Sequence, residues 1–84
     1  MKKTDYIEKA INNLENRSAK EHKSFFLGIT DYKFNFLGWL DKESQLTYDL
    51  SSIQLFFTES EAINAYEQAD DNVRLDHVYI LHKV

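Results

Sequence analysis

Residues 24–30, with the sequence SFFLGIT, decide the fold class because their apolar side chains alternate with a period of two. The alternation places Phe25, Leu27 and Ile29 on one face of a strand and the intervening residues on the other. A second alternating stretch, YKFNFLGWL at 32–40, follows after a short turn. The two stretches together predict an antiparallel hairpin.

A third strand is expected after the turn-forming stretch DKES at 41–44. Its apolar alternation runs from Leu46 to Leu50 and resumes at Ile53, which is an odd step. Because an odd step moves every side chain to the opposite face, the sequence predicts a bulge, bend or break at residues 51–52. The alternative is two separate short strands.

Two helices and a last strand complete the predicted order. Apolar residues from Tyr6 to Leu14 recur at helical spacing, and Thr58 followed by Glu61 is typical of a capping box that opens a second helix over about 59–69. The stretch LDHVYILHKV at 75–84 has strong strand propensity.

The order α-β-β-β-α-β predicts one α+β domain over residues 1–84. We expect an antiparallel sheet of about four strands with both helices covering one face, and therefore one core. The residues expected in that core are Ile7, Ile11, Leu14, Phe34, Phe36, Ile63, Tyr66 and Ile80.

Composition limits the class of protein. The chain has 84 residues, of which 43% are hydrophobic, and this favours a small globular domain over a disordered chain. It contains no cysteine, which excludes disulfides and thiolate zinc sites and fits a reducing compartment. No apolar run approaches the length of a membrane span. We therefore expect a cytoplasmic protein, of a cell or of an infected host cell, that does not bind membranes.

The charge is unevenly distributed along the chain. Residues 1–23 carry six basic and four acidic side chains, a net of +2, whereas residues 24–84 carry four basic and ten acidic side chains, a net of −6. A negative body repels phosphate and attracts positively charged partners. The charge pattern therefore favours a basic protein partner over direct nucleic-acid binding.

The stretch ESEAINAYEQADD at 59–71 holds five carboxylates and no Lys or Arg. Glu59 and Glu61 suit the start of a helix, where the helix dipole stabilises negative charge. Asp70 and Asp71 would lie at the helix end, where the same dipole opposes them. Either the helix ends before Asp70 and both aspartates are loop residues, or the charges are kept for a partner.

Aromatic side chains suggest a second surface. Helices on one face leave the other face of the sheet open, so Trp39, Leu37 and Phe26 would form an exposed aromatic patch. Such a patch is either a protein interface or a platform for stacking bases. Because few basic residues lie near it in the sequence, a protein interface is favoured.

Enzyme chemistry has no support in the sequence. His77 and His82 are five residues apart on a predicted strand, so they point to opposite faces and cannot share a metal. No serine stands in a nucleophile-elbow motif, and no glycine-rich phosphate loop occurs. We predict that the protein is not an enzyme and uses neither a metal nor another cofactor.

The predicted function is binding. We expect a small acidic protein that docks on a larger, basic, nucleic-acid-handling protein and inhibits or modulates it. Phage or plasmid anti-defence proteins (anti-CRISPR or anti-restriction), DNA mimics, immunity proteins and antitoxins act in this way. The residues predicted to contact the partner are Glu59, Glu67, Asp70, Asp71, Asp76 and Trp39.

The aspartates and Glu67 should be exposed, should converge with Glu59, Asp49 or Asp76 into one negative patch, and should lack basic partners within the chain. Two alternatives remain open at this level. One is a nucleic-acid-binding module that uses the basic first helix and the exposed sheet aromatics. The other is an accessory or structural subunit, such as a homodimer joined through its open sheet face or edge strand.

Overall fold

A computed structural model describes the backbone of residues 3–84 and the side chains of residues 5–84. The predicted order α-β-β-β-α-β is confirmed, with one short helix added before the last strand. A 3₁₀ turn at Leu50–Ser52 follows the third strand. The elements are α1 (Lys3–Glu21), β1 (Phe25–Asp31), β2 (Phe36–Leu40), β3 (Leu46–Thr47), α2 (Glu59–Glu67), α3 (Asp71–Arg74) and β4 (His77–Lys83).

The four strands form one antiparallel sheet, as predicted, and their spatial order is β3-β2-β1-β4. β1 is central and pairs with β4 along all seven of its residues. Its pairing with β2 shifts register between Ile29 and Thr30, where β2 contributes an additional residue. β3, at one edge, has only two residues, and β4 forms the other edge.

The long helices α1 and α2 lie on opposite faces of this sheet, so the prediction that both cover one face is wrong. Ala10 and Leu14 of α1 pack in a cluster with Phe26 of β1, whereas Ala62 of α2 packs in a second cluster with Leu27. Successive residues of a strand point to opposite faces, which separates the two clusters. Because both faces of β1 are apolar, each face needs its own cover.

We call these groups the α1-face cluster and the α2-face cluster. The buried members of the α1-face cluster are Ala10, Leu14, Phe26, Trp39, Ile53 and Leu55. Those of the α2-face cluster are Leu27, Ile29, Leu40, Phe56, Ala62, Ala69 and Val73. The single core predicted from the sequence is therefore two half-cores that share one sheet.

Phe34 is exposed, so its predicted place in the core is also wrong. β2 begins only at Phe36, and residues 31–35 form a turn around the carboxylate of Asp31. That carboxylate accepts hydrogen bonds from the backbone N–H groups of Lys33 and Asn35, at 2.8 and 2.9 Å. Phe34 follows with φ 64, a left-handed conformation that takes it out of the strand alternation.

The predicted break after Leu50 is confirmed by the 3₁₀ turn at Leu50–Ser52. Asp49 caps this turn, accepting hydrogen bonds from the backbone N–H and hydroxyl of Ser51 and from the hydroxyl of Ser52. Arg17 of α1 donates to the carbonyl oxygens of Ser51 and Ile53, at 3.4 and 2.8 Å. The break is thereby tied to the first helix.

Candidate functional site

Asp70 and Asp71 lie at the start of a helix and not at the end of one. α2 ends at Glu67, Asp70 is the N-cap residue of α3, and Asp71 is in the first turn of α3. The dipole of α3 therefore favours the charge of Asp71 instead of opposing it. Sequence periodicity missed α3 because the helix has four residues and buries only Val73.

Hydrogen bonds and ion pairs already engage some of the predicted carboxylates. Asp71 forms an ion pair with Arg74, with 3.7 Å between Oδ1 and Nη2, so the expectation that it lacks a basic partner is wrong. Asp70 accepts a hydrogen bond from the side-chain amide of Gln45 at 3.2 Å. Among residues 5–84, Glu67 and Asp76 form no ion pair.

Three of the predicted carboxylates line one open depression, together with tyrosine and leucine side chains. Its lining residues are Tyr32, Tyr66, Glu67, Asp71, Arg74, Leu75 and Asp76, and we call this the tyrosine–carboxylate surface. Tyr32 and Leu75 are each 66% exposed and line the same depression, so their apolar side chains are exposed on one surface. The surface therefore combines exposed apolar area with a concentration of negative charge.

Four elements of the fold position these side chains. Tyr66 comes from α2, and its hydroxyl donates to the backbone carbonyl of His77 at 3.1 Å. Its ring lies 4.9 Å from that of Tyr79, and burial raises the pKa of the Tyr66 hydroxyl. The imidazole Nδ1 of His77 lies 2.9 Å from the carbonyl oxygen of Val73, which joins β4 to α3. Asp76 projects from the connection between them, with φ 59.

The remaining predicted carboxylates do not join this surface. Glu59 begins α2, and the eight residues to Glu67 span about 12 Å of helix. Asp70 is directed to Gln45 in the β2–β3 hairpin. Asp49 caps the 3₁₀ turn that contacts α1, and the hydroxyls of Ser51 and Ser52 hold the pKa of its carboxyl below the usual value.

Trp39 is 2% exposed, so its predicted role as a partner-contacting residue is wrong. Its ring lies 5.9 Å from Tyr6 of α1 and 5.3 Å from Phe26, which is fully buried. The exposed patch expected on the open face of the sheet does not form because α1 covers that face. Trp39 is a core residue.

Sequence periodicity did not identify Tyr32 and Tyr66 as surface residues, because it assigned Tyr32 to a strand and Tyr66 to the core. The available signal was the turn chemistry around Asp31, which moves Tyr32 out of the strand. Tyr66 is half-buried with its hydroxyl bonded at the sheet edge, a position that suits an amphipathic ring.

The chemistry of the tyrosine–carboxylate surface suits a cationic side chain. Carboxylates accept charge-assisted hydrogen bonds from Lys or Arg, and tyrosine faces attract the same cations. Among the described residues, no group of three or more His, Asp or Glu side chains is arranged to hold a metal ion. None of the helices in residues 3–84 is long and apolar enough to cross a membrane.

Comparison with known proteins found no matching family model, no matching curated protein and no matching solved structure.

Proposed function

We propose that this protein is a small acidic binding protein that docks on a basic surface of a larger protein and blocks or modulates that protein. The observation that carries the proposal is the placement of Glu67 and Asp76, which lack ion pairs in the described chain, around exposed Tyr32 and Leu75 in one depression.

Each part of the surface has a separate task in this proposal. The exposed Tyr32 and Leu75 supply the apolar contact area, and aromatic residues are enriched at protein interfaces. Glu67 and Asp76, which line the same depression, attract a cationic partner and accelerate its association. Arg74, paired with Asp71 and bonded to the carbonyl oxygen of Glu67, connects α3 with the end of α2.

The charge of the chain narrows the class of partner. Residues 24–84 have a net charge of −6, which favours a partner protein with a basic surface. Proteins that handle nucleic acid have such surfaces. Anti-defence proteins of phages or plasmids, immunity proteins and antitoxins are the functional classes with this chemistry. We place the encounter in the cytoplasm of a cell or of an infected host cell.

Direct nucleic-acid binding is the weaker alternative. It requires the basic first helix, yet Arg17 already donates to the carbonyl oxygens of Ser51 and Ile53 and pairs with Glu21. It also requires exposed sheet aromatics, yet Phe26 and Trp39 are buried under α1. Binding to bulk DNA that weakens steeply with salt would favour this alternative.

A matched pair of charge variants tests the proposal. Glu67→Lys/Asp76→Lys reverses the two carboxylates of the surface that form no ion pair in the described chain and changes the net charge from −4 to 0. Glu8→Lys/Glu15→Lys makes the same change of net charge on exposed positions of α1, across the sheet. We expect affinity capture from the source cell to recover the same partner with the wild type and the control, and to lose it with the first variant.

Equal capture by both variants would overturn the proposed surface. The captured protein should also be inhibited or altered in activity by the wild-type chain. An unchanged activity would indicate an accessory subunit in place of an inhibitor.

A further inference from the structure

The outer edge of β4 is open, and the hydrogen-bond pattern shows which residues face it. Val84 donates its N–H to the carbonyl oxygen of Ser24 at 2.7 Å, so even-numbered residues of β4 direct their backbone groups toward β1. Phe25 exchanges two hydrogen bonds with Phe56 on the other side of β1, which agrees with this alternation. Odd-numbered residues of β4 therefore face outward.

At one end of this edge, a side chain of the same chain already occupies an outward backbone group. The carbonyl oxygen of His77 accepts the hydroxyl of Tyr66 at 3.1 Å. The outward backbone groups of Tyr79, Leu81 and Lys83 receive no hydrogen bond from any described residue. The open part of the edge thus runs from Tyr79 to Lys83 and is centred on Leu81.

The devices that usually protect a sheet edge are largely missing here. Proteins shield edges with short strands, prolines, bulges or charged side chains. β3, the opposite edge, is short, with two residues, whereas β4 pairs with β1 over seven residues without a register shift. The chain has no proline, and Lys83 is the only Lys, Arg, Asp or Glu in β4.

We propose that this edge pairs, antiparallel, with the β4 edge of a second copy of the chain, about a two-fold axis at Leu81. This register sets Leu81 opposite its own copy and Tyr79 opposite Lys83 of the second copy. In each of these pairs, the backbone N–H of each residue donates to the carbonyl oxygen of the residue opposite. A two-fold register centred on Tyr79 or Ile80 would need the His77 carbonyl, which Tyr66 already occupies. A register centred on His82 or Lys83 would pair fewer of the outward-facing residues of β4.

Side chains and charge are complementary in this register. Tyr79 and Lys83 lie on the same face of the sheet, so the Lys83 ammonium of one copy meets the Tyr79 ring of the other. On the opposite face, Ile80 meets His82. Residues 77–84 contain no Asp or Glu, so two chains of net charge −4 meet where no side chain is acidic. The product is one continuous eight-stranded sheet.

Sedimentation equilibrium over a range of protein concentrations tests this pairing. We expect the wild-type mass to rise with concentration from 10.0 kDa toward twice that value. Tyr79→Lys places like charges opposite each other at both ends of the interface and should keep the chain monomeric. Adding Lys83→Glu to Tyr79→Lys restores opposite charges across the interface and should restore the dimer.

Tyr48→Lys is the matched control, because Tyr48 is 72% exposed and lies outside β4. It should dimerise like the wild type. A wild type that stays at 10.0 kDa at all concentrations, or a Tyr79→Lys variant that dimerises normally, would overturn the proposal. Failure of the double variant to recover would overturn the register.

Hydrogen exchange supplies a test that needs no substitution. The amides of Tyr79, Leu81 and Lys83 should exchange more slowly as the wild-type concentration rises, because they become bonded only in the dimer. The amides of Ile80 and His82, which face β1, should be protected at every concentration. Outward amides that exchange at one rate regardless of concentration would contradict the pairing.

Discussion

Phe26 and Leu27 are adjacent in the sequence and both fully buried, yet they belong to separate clusters on opposite faces of the sheet. β1 is therefore the middle layer of the molecule, with α1 on one side and α2 on the other. Hydrophobic side chains on both faces of β1 are therefore buried, one set under α1 and the other under α2. It also leaves the tyrosine–carboxylate surface on the α2 side, away from α1.

The two clusters should contribute independently to stability. Leu14→Ala in the α1-face cluster should cost about 2–5 kcal/mol and Ile29→Val in the α2-face cluster about 0.5–1.5 kcal/mol in the free energy of unfolding. Because the sheet separates them, the double variant should equal their sum to within about 0.5 kcal/mol. Urea unfolding of the four chains measures this coupling.

The control for that cycle is Ile53→Val, a change of the same size within the α1-face cluster that contains Leu14. It should deviate from additivity with Leu14→Ala, since both changes remove atoms from one cluster. Strong coupling between Leu14 and Ile29 would contradict the two-cluster description.

Arg17 should be a principal tie between α1 and the 3₁₀ turn. Arg17→Met keeps an apolar stem but leaves the carbonyl oxygens of Ser51 and Ile53 without this donor. Hydrogen bonds from charged donors contribute about 1.5–3 kcal/mol, so we expect a loss of that size in unfolding free energy. Glu21→Gln removes only the exposed ion pair with Arg17 and should cost less than about 1 kcal/mol. Equal losses would show that the tie to the turn is unimportant.

Stability should fall in mildly acidic solution because of His82. Burial against Phe26 and Trp39 lowers the pKa of the His82 imidazole below its ordinary value of 6.5. The unfolded chain therefore takes up a proton as the pH falls through 6.5, while the folded chain still resists it. The stability present above that pH is lost progressively until the pH reaches the folded pKa.

The matched variant for this prediction is His82→Phe, which keeps a ring against Phe26 and cannot titrate. Between neutral pH and about pH 5, its melting temperature should decrease less than that of the wild type. The lower pH lies below the ordinary histidine pKa. Asp31 and Asp49, whose pKa values are lowered by hydrogen bonds, lose their contribution only at a more acidic pH. An identical decline in both proteins would place its origin in another group.

Local patterns predicted the elements but not how they are arranged. Alternation identified β1, and the odd step after Leu50 located the 3₁₀ turn. The Thr58 cap of α2 is also confirmed, since its hydroxyl accepts the N–H of Glu61 at 3.1 Å. These features depend on residues within a few positions of each other, so the sequence displays them directly.

The errors concern the arrangement of elements in space. Alternation showed that β1 is apolar on both faces, but it did not indicate which helix covers which face. Local patterns therefore predict an exposed Trp39, although α1 buries it. Local patterns also predict that the dipole of a helix opposes Asp70 and Asp71, because α3 is too short to produce a periodic signal. The tyrosine–carboxylate surface brings together a turn, two helices and a loop, which no local pattern reveals.

Recognition of cations by the tyrosine–carboxylate surface is most directly tested by an NMR titration of the isotope-labelled protein with a hexa-arginine peptide. We predict that shifts of the backbone amides concentrate at Tyr32, Glu67, Leu75 and Asp76 and weaken at high salt. Glu67→Lys/Asp76→Lys should abolish them, and Glu8→Lys/Glu15→Lys should retain them. Shifts centred on Glu8 and Glu15 of α1, or shifts unchanged in the first variant, would contradict the account.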